Sequence, residues 1–439
     1  MGMMDLALLG EGMQSHKGRV RMSRQAPVPA TVVTAIDVGV SKTVCALAAM
    51  TGARADLIGA GVIASPSAAS GKAADFNQAV RALRLAADEA ERGSGVAVTE
   101  AIASYAGPDL HTIVVEGRVR AKAGVVSAKD EAKAIQAAMA AAQDPAHRVL
   151  HTAVLGFRVD GGERIADPRG LEGRRLTAEI AAVRAPTANL AALVQCGGEA
   201  GLSITRIVPA PYAAGLAALD PDDRDGALVI DLGAGGVSVA LFGPQGLVYA
   251  ASLKGGGVRV TRSVAAALDT SFAAAERAKL LYASDCGLAD PRETVEAPRL
   301  GADGRLEPAL VLRRAIQDAV GDRLDAIFAD VAKLLRQAGF PPPAHVVLVG
   351  GGASLAGAAE IASARIGAPV VVGGVCTIPG LEGAMSSAPF ATVAGLLRWA
   401  SEKPPHHAPA LSFNEISRRP ALVAPAAVLR AWRWLQESF

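Results

Sequence analysis

Apolar positions along this chain fall into short runs, then into helical spacing, and that order occurs twice. Residues 31–50 read as an apolar β-run (TVVTAI), a loop (DVGVSK) and a second run (TVCALAAM), with a third run at 57–63. Residues 227–253 repeat the rhythm: a run ending at Ile230, the loop DLGAGG, a run over 237–242, a turn, and a run over 247–253. Aligned, IDVGVSKTVCALAA (36–49) and IDLGAGGVSVALFG (230–243) share Ile-Asp-x-Gly. Helical spacing follows each copy, at 75–92 and at 262–284. Two copies of one unit predict a duplicated α/β architecture of two facing lobes.

Other segments interrupt the repeat. Residues 96–178 hold a run (VAVTEAIASYAG), a helix signalled by Ser127 as cap with Asp130 three residues on, and an irregular Gly/Pro/Arg-rich stretch ending at Leu176, together an inserted subdomain. A third glycine cluster, VVLVGGGASLAGAAE, predicts a strand, a tight turn and a helix from residue 346. From 401 to 425 periodicity is lost and five prolines accumulate, the composition of an extended linker. Residues 1–30 carry a basic stretch but no apolar segment before a cleavage site, and read as a disordered tail.

Composition narrows the class. The 439 residues are 51% hydrophobic but only 4% aromatic, with 47 glycines, so the apolar excess comes from small side chains. Forty-four basic against 42 acidic residues give a net charge of +2, which excludes a strongly basic nucleic-acid binder and an acidic disordered chain. Cys45, Cys196, Cys286 and Cys376 lie far apart with no zinc-type spacing, the pattern of reduced thiols in a cytosolic protein. Residues 232–253 carry no formal charge, yet their glycines and Pro244 argue for a buried hairpin rather than a membrane span.

The loops carry the candidate chemistry. In the first, Asp37 at a strand end suits the water shell of Mg²⁺, Gly39 lets backbone approach phosphate, and Ser41 and Lys42 supply donors. One such loop is also an ordinary hairpin. The second copy, Asp231, Gly233, Gly235 and Gly236, turns the pair into a two-sided clamp for a nucleotide's phosphates. Gly350, Gly351 and Gly352 with Ala353 would bring bare backbone against the nucleoside, or simply form a turn needing positive φ. Glu276 and Lys279 share a helix face and suit either a ribose or a solvated ion pair.

The order of these loops, with the inserted subdomain between the first and second, resembles the actin-like nucleotide-binding superfamily, and in detail the FtsA family of bacterial cell-division proteins. The resemblance spans 31–439 and rests on DVGVSK, IDLGAGG, GGGVRVT, AAERAKLLYA, VVLVGGGASLAG and above all on residues 147–176, whose Asp160, Pro168, Gly170, Leu171, Gly173 and Arg174 the general fold does not require. It implies an actin-like (ribonuclease H-like) two-lobed ATPase fold binding ATP and Mg²⁺. The first lobe would comprise 31–95 and 179–225, the FtsA-type insert 96–178, the second lobe 226–262 and 344–400, and its small upper part 263–343. Implied partners are the C-terminal tail of the division tubulin FtsZ, docking on that upper part, further copies of the chain in a filament, inner-membrane lipid and other divisome proteins. The implied location is the cytoplasmic face of the inner membrane at the division site. Val40, Gly236, Ser238 and Ser263 depart from the family's usual hydroxyl or acidic residues, and no general base replaces them, so rapid hydrolysis is not expected. Two other readings use the same lobes: a superfamily sugar kinase or phosphatase, which needs a catalytic carboxylate no motif here supplies, and the pilus-assembly scaffold PilM, which lacks a detached membrane helix.

The chain ends in AAVLRAWRWLQESF. Val428, Trp432, Leu435 and Phe439 are spaced four, three and four apart, within an arc of about 60° on one helix face, with Leu429 and Trp434 flanking it. Set behind a proline-rich linker, this reads as a peripheral membrane anchor.

Overall fold

The structure, a computed structural model, describes residues 31–402 except 53, 66–75, 123, 245, 284–289, 291, 376–380 and 382. The expected N-terminal tail, the linker beyond 402 and the amphipathic helix lie outside the described residues, as do Cys286 and Cys376.

In the first lobe, β1 (Thr31–Val38), β2 (Lys42–Thr51) and β3 (Arg54–Ala64) form an antiparallel meander, followed by α1 (Phe76–Ser94) and β4 (Glu100–Tyr105). The insert supplies β5 (His111–Arg120), α2 (Ala128–Ala141), β6 (His147–Val159) and β7 (Arg175–Pro186). The chain returns through α3 (Thr187–Glu199), β8 (Ser203–Pro209) and α4 (Ala210–Ala218). In the second lobe β9 (Ala227–Leu232), β10 (Gly236–Gly243) and β11 (Gly246–Lys254) repeat the meander, followed by α5 (Gly257–Leu268) and α6 (Phe272–Tyr282). Four short strands, β12 (Thr294–Glu296), β13 (Arg299–Leu300), β14 (Leu306–Glu307) and β15 (Leu310–Leu312), precede α7 (Arg313–Gln337). Then come β16 (His345–Val349), α8 (Ala358–Ile366), β17 (Val370–Val372) and α9 (Ala391–Ser401).

The two sheets have one topology, β3-β2-β1-β4-β8 and β11-β10-β9-β16-β17. Their register also agrees: Ile36 faces Cys45 and Val38 faces Thr43, while Ile230 faces Val239 and Leu232 faces Val237. Each of the five pairs of the β9–β10 ladder matches a β1–β2 pair 194 residues earlier, the spacing of Asp37 and Asp231. Strands such as TVCALAAM, buried along nearly their whole length, need cover on both faces, and helices provide it.

The small side chains seen in the composition sit where helices meet backbone. A Cβ on Gly61 would lie 2.0 Å from Ala86 O of α1, one on Gly117 2.0 Å from Ala134 O of α2, and one on Gly395 1.7 Å from Ala213 O of α4. Any larger residue pushes the helix off its support, so alanine and glycine here set interaxial distance. The third contact is the crossing of α4 and α9 between the sheets. There α4, which follows the first lobe, packs on β9, β10 and β16, whereas α9, which follows the second, packs on β1, β2 and β4. This corrects the expected second-lobe range of 344–400, because Ala391, Val393, Leu396 and Leu397 belong to the core shared with the first sheet. Sequence order hid the exchange.

The insert's edges move too. The strand read as its start is β4, which pairs with β1 and β8 in the first lobe's sheet, whereas β7 pairs with β5 and β6 in a separate three-stranded sheet. The insert therefore runs from β5 to the end of β7, not over 96–178. Its helix begins as expected: Ser127 Oγ accepts from Asp130 N and Asp130 Oδ2 accepts from Ser127 N, both at 3.2 Å. The irregular stretch is organised by Asp160, at φ 50°, whose carboxylate accepts from the backbone N–H groups of Arg174 and Arg175. Where one helix was expected over 262–284 there are two. Asp269, at φ 51°, closes α5, and Ser271 Oγ caps α6 by accepting from Ala274 N.

Cys45 and Cys196 are buried free thiols, each pushed up to about 12 chiefly by burial, which keeps them inert. Among the described residues no helix is long and apolar enough to cross a membrane.

Candidate functional site: a cleft closed by three glycine loops

The two Asp-x-Gly loops and the Gly350–Gly352 turn line one cleft of about 430 Å³. Each hairpin loop closes identically: Gly39 N donates to Lys42 O and Gly233 N donates to Gly236 O, both at 3.0 Å. These tight closures aim the acidic residue before each loop into the cleft.

Asp37 ends β1, and Ser104 at the end of β4 donates to its Oδ1. Asp231 ends β9, and Thr392 Oγ1 donates to its Oδ2 at 3.3 Å. Burial pushes the Asp37 carboxyl up, against the pull of Ser104 and Lys42. Burial and then the charge of Asp37 push Asp231 up to about 6, against Thr392 and Lys42. Between them, burial draws Lys42 down, opposed by both aspartates. Its Nζ rests 3.8 Å from the centroid of the Phe390 ring. Two buried carboxylates, one of them raised by the charge of the other, fit a hydrated divalent cation, which would relieve that repulsion. Among the described residues no group of three or more His, Cys, Asp or Glu is placed to hold a metal directly. An ion here would therefore keep waters and share phosphate oxygens, the habit of Mg²⁺ rather than of a caged metal.

The Gly350 turn lies directly on the second hairpin. Gly350 has φ +87°, and a Cβ on it would meet Asp231 Oδ1 at 2.3 Å and Leu232 O at 2.7 Å. Gly352 has the same restriction, 2.3 Å from Leu232 Cγ. Only bare backbone fits, and it leaves a smooth wall. Ala353 departs from expectation: it is 3% exposed, does not line the cleft and belongs to the second lobe's core, because the 3-10 turn Gly351–Ser354 rotates its Cβ away.

Glu276 and Lys279 both line the cleft. Lys279 Nζ donates to Thr261 Oγ1 at 2.9 Å and to Glu276 Oε2 at 2.7 Å, with its side chain only 8% exposed. The pair is thus part of the wall, not a solvated surface bridge. Among the departures from the family pattern, Val40, Gly236 and Ser238 line the cleft, whereas Ser263 turns away and accepts from Arg323 Nε on α7 at 2.8 Å. Sequence reasoning missed Ser104, Phe390 and Thr392. Each is a single residue with no spacing relation to the loops, brought to them by tertiary packing alone.

Known proteins resemble this chain along most of its length. A model described as the SHS2 domain inserted in FtsA matches residues 107–184, and one described as cell division protein FtsA matches 228–395. Cell division protein FtsA of Agrobacterium fabrum is 28% identical over 442 residues, covering 97% of this chain and 99% of that protein. FtsA of Pseudomonas aeruginosa is 27% identical, covering 93% and 98%. Among solved structures, a PilM–PilN type IV pilus biogenesis complex has a TM-score of 0.56 at 17% identity, covering 85% of this chain and 100% of that one. That likeness concerns the fold, a mixed α/β actin-like architecture.

Proposed function

Because this chain belongs to the FtsA family of cell-division proteins, we propose that its cleft binds ATP with Mg²⁺, and that the bound chain polymerises and tethers FtsZ to the cytoplasmic face of the inner membrane. The observation that carries the nucleotide reading is the convergence of two register-matched Asp-x-Gly hairpins and a bare glycine turn on one cleft. Lys42, Ser41 and the backbone of Gly39, Gly233, Gly235 and Gly236 would hold phosphates. Asp37 and Asp231 would hold Mg²⁺ through water, and Glu276 with Lys279 would face the ribose. Slow hydrolysis is expected in this reading, because Val40, Gly236 and Ser238 line the cleft where the family usually carries hydroxyl or acidic residues.

The membrane step rests on residues 426–439. Burial of Val428, Trp432, Leu435 and Phe439 is worth roughly 6 to 12 kcal/mol gross, and ordering a 14-residue helix subtracts several of those. A single copy then binds weakly and reversibly, and a filament supplies avidity through many copies. Later division proteins would gather on the same filament. Pull-down with the FtsZ C-terminal peptide, with and without ATP, tests the adaptor role, and no capture in either state removes it. Liposome pelleting tests the anchor: Trp432→Glu should stay in the supernatant while the unaltered chain pellets.

A further inference from the structure

One short segment touches all three loops of the cleft. Ala388 O accepts from Gly350 N of the glycine turn at 3.0 Å, the Phe390 ring carries Lys42 Nζ of the first loop at 3.8 Å, and Thr392 Oγ1 donates to Asp231 of the second at 3.3 Å. Ala388, Pro389 and Thr392 also line the cleft. From this hub α9 runs on as one helix to Ser401, crossing α4 at Gly395. Beyond its end Glu402 is gripped by Arg398 Nε at 2.8 Å and by Arg224 Nη2 at 3.3 Å, and Arg224 lies in the crossover between α4 and β9. The helix is thus held by the phosphate loops at one end and by the connection between lobes at the other.

We propose that residues 388–392 form a fourth element of the nucleotide site, in which Phe390 and Thr392 are positioning residues for Lys42 and Asp231, and that α9 reports cleft occupancy to the point where the C-terminal segment departs. The proposal rests on the reading of the cleft as a site for a nucleoside triphosphate with Mg²⁺. Phe390 acts through its ring. A lysine carries four flexible methylenes, and an aromatic face that holds the ammonium inside the cleft lowers the rotamer entropy lost when phosphate arrives. Thr392 acts by its hydroxyl: a donor to one carboxylate oxygen fixes that carboxylate's rotamer and leaves the other oxygen for a hydrated ion. Because the two groups stand two residues apart at the start of one rigid helix, a shift of either loop on binding must move that helix's first turn.

The test uses the full-length chain and a fluorescent ATP analogue with Mg²⁺. Phe390→Leu keeps volume but loses the ring's charge-binding face, and Thr392→Val keeps shape but loses the donor. Each should weaken binding by about three- to tenfold, measured well below each variant's own thermal midpoint, and Phe390→Tyr and Thr392→Ser should restore it. Hydrogen exchange of the unaltered chain should show α9 and its end at Glu402 slowed by MgATP, and Phe390→Leu should lose that response at saturating nucleotide. If the unaltered chain binds and both variants match it, or if exchange in α9 ignores nucleotide, the proposal is wrong while the cleft's assignment stands. If the unaltered chain binds no nucleotide, both fail together.

Discussion

The hairpin loop of the first lobe carries Ser41 and Lys42 where that of the second carries Gly235 and Gly236, although both close with the same hydrogen bond and share one register. Their surroundings differ in the same sense. The second loop is wrapped in backbone: Gly257 N and Val258 N of α5 donate to Gly233 O and Ala234 O at 2.9 Å, a Cβ on Gly256 would stand 2.1 Å from Gly233 O, and the Gly350 turn presses on Asp231. The first loop is held by the side chain and backbone of Ser65, Ser65 N donating to Ser41 O at 2.9 Å and Ser65 Oγ to Gly39 O at 3.1 Å. Duplication has kept the backbone and divided the labour. One copy carries a hydroxyl and a charged side chain where the other carries bare backbone, so in the proposed site the first would supply charge and the second a fixed surface for phosphate.

If the second loop's role is steric, crowding it should do the most damage. Gly350→Val puts a branched side chain at positive φ against Asp231 and should cost about 3 kcal/mol or more, read as a lowered urea midpoint. Next comes the charge each loop shares. Asp231 titrates at about 6 in the folded chain but near 4 when unfolded, so the folded state holds its proton more tightly. The stability that preference confers is fully present below about pH 4 and is lost as pH rises through about 6. Asp231→Asn, which still accepts from Thr392, should therefore match the unaltered chain near pH 4 and exceed it by about 2 to 3 kcal/mol near pH 8 in urea titrations. An advantage that shrinks with rising pH would show that Lys42 more than compensates for burial.

The first loop's role is tested by binding. Lys42→Ala should weaken ATP affinity by about 10- to 100-fold, with little change for adenosine, which lacks phosphate. Ser41→Ala should cost only about threefold, because a hydroxyl adds one neutral donor where Lys42 adds a charge. Equal losses for these two variants would mean that the loop binds through its backbone, as the second does.

Much of this was legible in the sequence because the signal is local. Asp37, Gly39, Ser41, Lys42 and their counterparts sit on contiguous strand–loop–strand patterns, and the same patterns carry the fold's duplication. The SAKD motif declared its own helix start. The rest was set by tertiary packing, which leaves no period. β4 looks like any apolar run until it pairs between β1 and β8, and α9 follows the second lobe in sequence while packing on the first. Ala353 follows three cleft glycines yet points into the core, since a 3-10 turn reverses direction within one residue. Thr392 meets Asp231 across 161 residues, a distance at which no spacing rule operates.

The central claim, that two divergent copies of one hairpin hold a single nucleotide, is tested most directly by calorimetric titration of the full-length chain with MgATP, beside Lys42→Ala in the first loop and Gly235→Val in the second. One site per chain is expected, weakened about tenfold or more by either substitution. Two sites per chain, or full affinity surviving the loss of either loop, would contradict it.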